Sequence, residues 1–197
     1  MLSLLKTDRP VAVIANAMDG APADIRLEGV EREHFSLRAL GLQTEEVDLR
    51  SYFDSHEGLA PELSRFEMAW LRGGNVFMLR YALARSGADQ LLTEMLARDE
   101  LVYAGYSAGP CVLAPNLRGL ELCDDAEAVW AVHGAPPIWE GLGVLDYAIV
   151  PHYESPGHPE TEALGKVAEL YRRTSVAHRT LHDGQAIVAD GDLTEII

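Results

Sequence analysis

Cysteine is scarce. Cys111 and Cys123 are the only two, too few for the disulfide framework of a small secreted domain and without the paired spacing of a zinc site. Reduced thiols and a cytoplasmic setting are expected. Positive charge is scarce as well: 16 Lys and Arg stand against 31 Asp and Glu, for a formal charge of −15. A field of that sign repels phosphate backbones and anionic headgroups, so neither nucleic acid nor a membrane is an expected partner. Long apolar runs are missing. The opening stretch MLSLLKTDRPVAVIANAM is broken by Lys6, Asp8 and Arg9, and it matches neither a secretory signal nor a membrane span. There is no internal repeat, low-complexity tract or dividing linker, so residues 1–197 are expected to form one domain, and 48 % hydrophobic content suffices for a core.

What is present alternates. Residues 11–15 read as a short, continuously apolar strand bounded by Pro10 and by Asn16, Asp19 and Gly20, the pattern of a buried parallel strand. Ile25, Val30, Phe35, Leu37 and Leu40 recur near helical spacing within 23–42, and 45–49 reads as a second strand. A third strand, 66–71, runs into Arg72-Gly73-Gly74-Asn75; helical composition follows at 76–84 and 87–100, then a strand at 101–104. Further strands are expected at 128–132 and 144–150, and a helix at 160–173. A terminal hairpin, 186–189 with 193–197 through Asp190-Gly191-Asp192, is expected to close the sheet. Strands alternating with helices predict an α/β three-layer sandwich, in which a mainly parallel central sheet binds ligands beyond the carboxyl ends of its strands.

The strongest chemical signal is Gly105-Tyr106-Ser107-Ala108-Gly109, a G-x-S-x-G pattern between an apolar strand and a plausible helix start at 108–113. A serine on such an elbow has a strained backbone that exposes its hydroxyl, and small neighbours leave room for a substrate. The amide of Ala108, at the head of the helix, points where an oxyanion would form, and the amide of Gly74 in the earlier Gly-Gly turn could complete the hole. A serine hydroxyl attacks only as its proton is removed, so a base is needed. Among seven histidines, His34 and His56 sit in helix-like or loop-like segments, and His133 and His158 lie in loop-like surroundings. His178 and His182 come just before the hairpin. His152, in Ile149-Val150-Pro151-His152-Tyr153, comes just past a buried strand, on the edge where the elbow opens. It is the expected base. The imidazole needs a carboxylate to set its tautomer, and Asp124, Asp125 and Asp183 are the candidates. Asp125 and His152 follow Ser107 by only 18 and 45 residues, too compressed for an α/β-hydrolase, so a different serine-elbow fold is required.

These motifs resemble peptidase E, the aspartyl dipeptidase family of serine peptidases, which shares its fold with class I glutamine amidotransferases. LRGGNVF at 71–77 is similar to that family's Gly-Gly-Asn turn, AGYSAG at 104–109 to its nucleophile segment, and VPHY at 150–153 to the stretch carrying its histidine. The resemblance implies a flavodoxin-like three-layer fold, Ser107 as nucleophile, His152 as general base, and Gly74 and Ala108 at the oxyanion. Asp125 stands slightly ahead of Asp183 as the acid. Asn75, Tyr153 and Glu162 are the implied substrate contacts. An amidotransferase would carry cysteine at the elbow; Cys111 sits one turn beyond and reads as a packed helix residue. One departure concerns specificity: the family's Glu-Thr-Arg, whose arginine holds the aspartyl carboxylate, is here Glu160-Thr161-Glu162. A carboxylate at that point repels an aspartyl side chain unless Arg72, Arg118, Arg172, Arg173 or Arg179 compensates.

The expected function is therefore hydrolysis of dipeptides or short peptides through an acyl-enzyme, with no metal or organic cofactor, a small peptide as partner and a homodimer as a compatible assembly. The alternatives are hydrolysis of other small amides, including the β-aspartyl units cut by the related cyanophycinases, and a non-catalytic binding domain on an amidotransferase-like fold.

Overall fold

A computed structural model describes residues 4–5, 9–191 and 193–197. Lys6 and Asp8, which interrupt the opening apolar stretch, and Asp192 of the hairpin turn lie outside the described residues. Strands β1 (Val11–Ile14), β2 (Thr44–Glu46), β3 (Met68–Leu71) and β4 (Val102–Gly105) form a parallel sheet in the order β2-β1-β3-β4. The apolar run of β1 is buried at all four positions, because helices cover both faces. The two-residue period of the strands sorts the core. Ala12, Ile14, Ala69 and Leu71 join Phe77, Leu79, Leu83 and Leu92 in one cluster, while Val11, Val13 and Met68 meet Leu37 on the other side. Leu37 belongs to α1 (Ala23–Ala39), and the opposite layer is built from α3 (Val76–Ser86) and α4 (Ala88–Ala97), which follow the short α2 (Leu59–Leu63). Complete burial of side chains such as Ile14 and Phe77 contributes roughly 1.5–3 kcal/mol each.

Beyond β4 lie α5 (Ala108–Cys111), α6 (Ala128–His133), β5 (Ala148–Val150), α7 (Thr161–Thr174), β6 (His178–Thr180), β7 (Ile187–Asp190) and β8 (Leu193–Ile196). Three expectations are corrected here. Residues 128–132 are helical: the carboxylate of Asp125 accepts the Glu127 N–H at 3.0 Å, Gly134 ends the helix in a left-handed conformation, and only Val129 of the apolar run is buried. The terminal hairpin forms, but as a separate two-stranded sheet. Every residue of β8 is exposed, so the hairpin is not packed into the layers that cover the central sheet. The strand expected at 45–49 stops early, because Asp48 accepts the Arg50 N–H at 3.1 Å and starts a 3-10 turn. β6 has no counterpart among the strands expected from the sequence; it pairs in parallel with β5. No helix among the described residues is long and apolar enough to cross a membrane.

Candidate active site

The elbow is built by close approach. Gly105 and Gly109 both face the carbonyl oxygen of Leu71 in β3, and a side chain at either position would collide with it. Tyr103 donates its hydroxyl to the Gly109 carbonyl at 2.6 Å, tying α5 back to β4. Between these restraints Ser107 takes φ 52° and ψ −114°, a strained conformation for a residue with a side chain. The Gly-Gly turn expected from the sequence lies directly alongside, since a methyl group added to Gly73 would meet the Ser107 Cβ at 2.9 Å. Gly74 has φ +143° and packs against the Ala17 backbone, and Ala108 supplies the first N–H of α5, which has no acceptor within its own helix.

Behind the elbow is a closed polar cluster. Buried Glu33 accepts the Trp70 indole N–H at 2.8 Å and the Tyr106 hydroxyl at 2.8 Å, and it pairs with buried Arg72 at 3.3 Å. Arg72 also donates to the Gly73 carbonyl at 2.9 Å. Burial and the Glu33 bond push the Tyr106 phenol up to about 12. The cluster thus clamps the residue before Ser107 and the residue before Gly73 to α1.

Cys111 is buried and donates its thiol to the Ile149 carbonyl at 3.4 Å, docking α5 against β5. Burial holds its thiol well above the ordinary range and pushes Cys123 up to about 12, so neither rivals Ser107 as a nucleophile. From the end of β5 the chain passes through Pro151, which lines the same cleft as Ser107, to His152. His152 also has positive φ, 52°. The β5–β6 ladder continues past both strands: Leu181 N–H donates to Val150 and Tyr153 N–H donates to Leu181, each at 2.9 Å. That ladder runs the chain after β6 alongside the chain after β5, and Asp183 Oδ1 lies 2.5 Å from the ring Nδ1 of His152. Ser155 accepts the Asp183 N–H at 2.8 Å, and Thr161 donates its hydroxyl to the His152 carbonyl at 2.7 Å.

Asp125, the other carboxylate expected as the acid, is engaged elsewhere. Its carboxylate caps Glu127 and its carbonyl accepts from Asn75 at 2.8 Å, whereas Asp183 meets the histidine. Asn75 is likewise occupied, capping α3 by accepting the Phe77 and Met78 N–H groups at 2.9 and 3.1 Å. Tyr153 rests its ring near that of His182, with centroids 5.9 Å apart. Glu162 is 82 % exposed at its side chain and pairs with Lys166 at 2.8 Å. The carboxylates that line the cleft with Ser107 are Asp124 and Glu160, together with Val76, Ala108, Cys111, Leu120, Cys123 and Leu164. Asp124 accepts the Val76 N–H at 2.8 Å, and burial, helped by the negative charge of Glu160, pushes its carboxyl up to about 6.

No Lys or Arg lines this cleft among the described residues. Arg72 is bound to Glu33, Arg118 lies over the Trp139 ring at 4.6 Å, Arg172 pairs with Glu169 at 2.8 Å, and Arg179 lies over Tyr147 at 4.5 Å. Arg173 is exposed in the last turn of α7. None of the five proposed compensating cations lines the cleft.

His158 and Glu160 were given no role from the sequence, although two histidines and a glutamate fall within the nine residues 152–160, just past the end of a buried strand. His152, His158 and Glu160 offer ligand atoms within 4.8 Å of one another. The two imidazoles, however, are stacked with centroids 3.6 Å apart and planes inclined by 4°. The nitrogen lone pairs lie in the planes of their rings, and parallel planes do not meet, while a metal ion requires the lone pairs to converge on one point. In this arrangement the pair is a stack and not an ion cage.

The sequence profile of peptidase family S51 matches residues 27–197. An uncharacterized peptidase of Listeria monocytogenes is 30 % identical over 142 residues, covering 72 % of this chain and 65 % of the relative. Peptidase E of Streptomyces coelicolor is 29 % identical over 181 residues, covering 87 % of this chain and 70 % of its own length. The chain thus spans about two thirds of the length of these relatives, and slightly less than that of the first. The fold is shared with the crystal structure of a peptidase E protein from Listeria monocytogenes EGD-e, at TM-score 0.78 and 24 % identity, covering 96 % of this chain and 85 % of the other. With that profile matched over most of its length, the chain belongs to peptidase family S51.

Proposed function

We propose that this protein is a serine peptidase that cleaves dipeptides or short peptides bearing a free amino terminus, with Ser107, His152 and Asp183 as its triad. The observation that carries the reading is the 2.5 Å bond between Asp183 Oδ1 and His152 Nδ1 beside the cleft that Ser107 lines. A carboxylate at Nδ1 keeps the proton there and leaves Nε2 free to act as a base. Ser107 Oγ attacks the peptide carbonyl as its proton passes to His152 Nε2. The oxyanion of the tetrahedral intermediate is held by the N–H groups of Gly74 and Ala108. Collapse breaks the C–N bond, His152 returns the proton to the departing amine, and water then cleaves the acyl-enzyme by the same route.

The charge of the cleft supports a substrate class. Two carboxylates without a cation, in a space of about 10 Å³ that takes a single water-sized group, suit an ammonium and oppose an aspartyl side chain. Glu160 takes the part that Glu162 was expected to play.

Trapping with a fluorophosphonate tests the chemistry. The wild-type chain is expected to label and Ser107→Ala to lose the label; an unlabelled wild type, or equal labelling of both, overturns the reading. Asp183→Asn should slow labelling by roughly 10²–10⁴-fold, the scale of a lost base or wrong tautomer, while Asp125→Asn stays within about twofold, as expected for a carboxylate that only closes a local turn. In a panel of dipeptides, those with uncharged or basic first residues should be cleaved ahead of Asp-X and β-aspartyl substrates; the opposite order would sink the substrate assignment alone.

A further inference from the structure

Asp183 holds His152 at one point only, and that carboxylate is 51 % exposed at its side chain. A hydrogen bond to one ring nitrogen sets the tautomer but leaves the imidazole able to rock about its own axis, and an exposed partner restrains it weakly. The ring faces are free to be covered. One of them is: the His158 imidazole lies 3.6 Å away and parallel to within 4°.

We propose that His158 is a positioning residue for His152, a flat platform that fixes the plane in which the base presents Nε2 to Ser107. This rests on the serine peptidase reading. His158 is itself held in place. Its Nδ1 accepts the Glu160 N–H at 3.3 Å, its own N–H donates to the Ser155 carbonyl at 3.1 Å, and its carbonyl accepts the Thr161 N–H at 3.3 Å. Ser155 and Thr161 are the residues that also hold Asp183 and the His152 carbonyl, and the Ser155 N–H donates to the Thr161 hydroxyl at 2.9 Å. One short loop therefore carries the base, its platform and the ties to its acid.

The acceptor role of His158 Nδ1 has an electrostatic consequence. It matches the tautomer that carries its proton on Nε2. In that tautomer the π face can lie against the imidazolium that His152 becomes during proton transfer, where a second cation would repel it. Asp183 and Glu160 are the carboxylates that face the pair, at Nδ1 of His152 and within 4.8 Å of both rings' ligand atoms respectively.

The test uses the full chain and a fluorophosphonate, with rates resolved into kinact and KI. His158→Ala should lower kinact by roughly 10–100-fold with KI within about twofold, the scale of a loosened catalytic group. His158→Phe, which keeps the flat face and lacks the nitrogens, should restore kinact to within about threefold of wild type. In proton spectra the far-downfield resonance of the His152 Nδ1–H should stay sharp in wild type and His158→Phe and broaden in His158→Ala. Wild-type kinact in the Ala variant overturns the proposal, as does a Phe variant as slow as Ala. Should His158→Ala fail to fold, His158→Phe still decides it. Because the downfield resonance needs no chemistry at Ser107, it separates failure of this proposal from failure of the hydrolase reading.

Discussion

Two acidic clusters adjoin the elbow, and they are built in opposite ways. Glu33 is surrounded by partners: the Arg72 guanidinium, the Trp70 indole and the Tyr106 hydroxyl. Asp124 and Glu160, in the Ser107 cleft, have no cation beside them among the residues lining it. A buried carboxylate with a complete set of partners is part of the scaffold, and here it locks the two turns that form the elbow. A half-buried carboxylate held next to another, with its charge opposed by partial burial, costs stability and is the pattern of a candidate functional site. The same carboxylate-to-amide substitution should therefore have opposite signs in the two places.

The largest effect is expected at Glu33. Glu33→Gln leaves Arg72, only 9 % exposed, facing a neutral group, and removing one partner of a buried pair costs roughly 3–5 kcal/mol. A denaturant midpoint unchanged from wild type would dissolve the contrast. Asp124→Asn comes next and should stabilise. Its carboxyl is raised from 3.8 to about 6 in the folded chain, so the native state binds the proton more tightly than the unfolded chain does. The stability this proton contributes is whole below about pH 4 and is lost as pH rises through about 6. The amide keeps an acceptor for the Val76 N–H and has no charge to bury, so the variant should gain on the order of 1–3 kcal/mol at pH 8 and nothing at pH 4. Equal melting curves at pH 8 would mean that a hidden cation compensates the cleft. The smallest effect belongs to Glu162→Gln, which breaks only an exposed pair with Lys166. Neither the melting temperature nor the rate of fluorophosphonate labelling should move, and a change in dipeptide preference would return Glu162 to the substrate site.

Much of this arrangement was legible along the chain. The apolar run of β1, the Gly-Gly-Asn turn that caps α3, and the serine between β4 and α5 were all read from neighbouring residues, because each depends on contacts within a few positions. Failures came where such contacts were misleading or absent. Residues 128–132 are apolar enough for a strand, yet the turn that Asp125 makes with the Glu127 N–H leads into a helix there, and Gly134 ends it. β6 was missed because His178–Thr180 is a three-residue strand with no apolar alternation, and it exists by pairing with β5. The pairing of β5 with β6 is also what brings Asp183 beside His152, whereas Asp125 was placed ahead on family resemblance alone.

The sequence by itself determined the alternating α/β architecture, the strained serine and the histidine at the end of a buried strand, since periodicity, turn chemistry and steric demand act over short stretches of chain. Only the tertiary structure decided which carboxylate meets the histidine, which one enters the cleft, and which arginines are already bound elsewhere. Those choices follow from strand register and from which strand ends become neighbours. A parallel pair joined through a helix brings together residues 31 positions apart, and no local pattern encodes that distance.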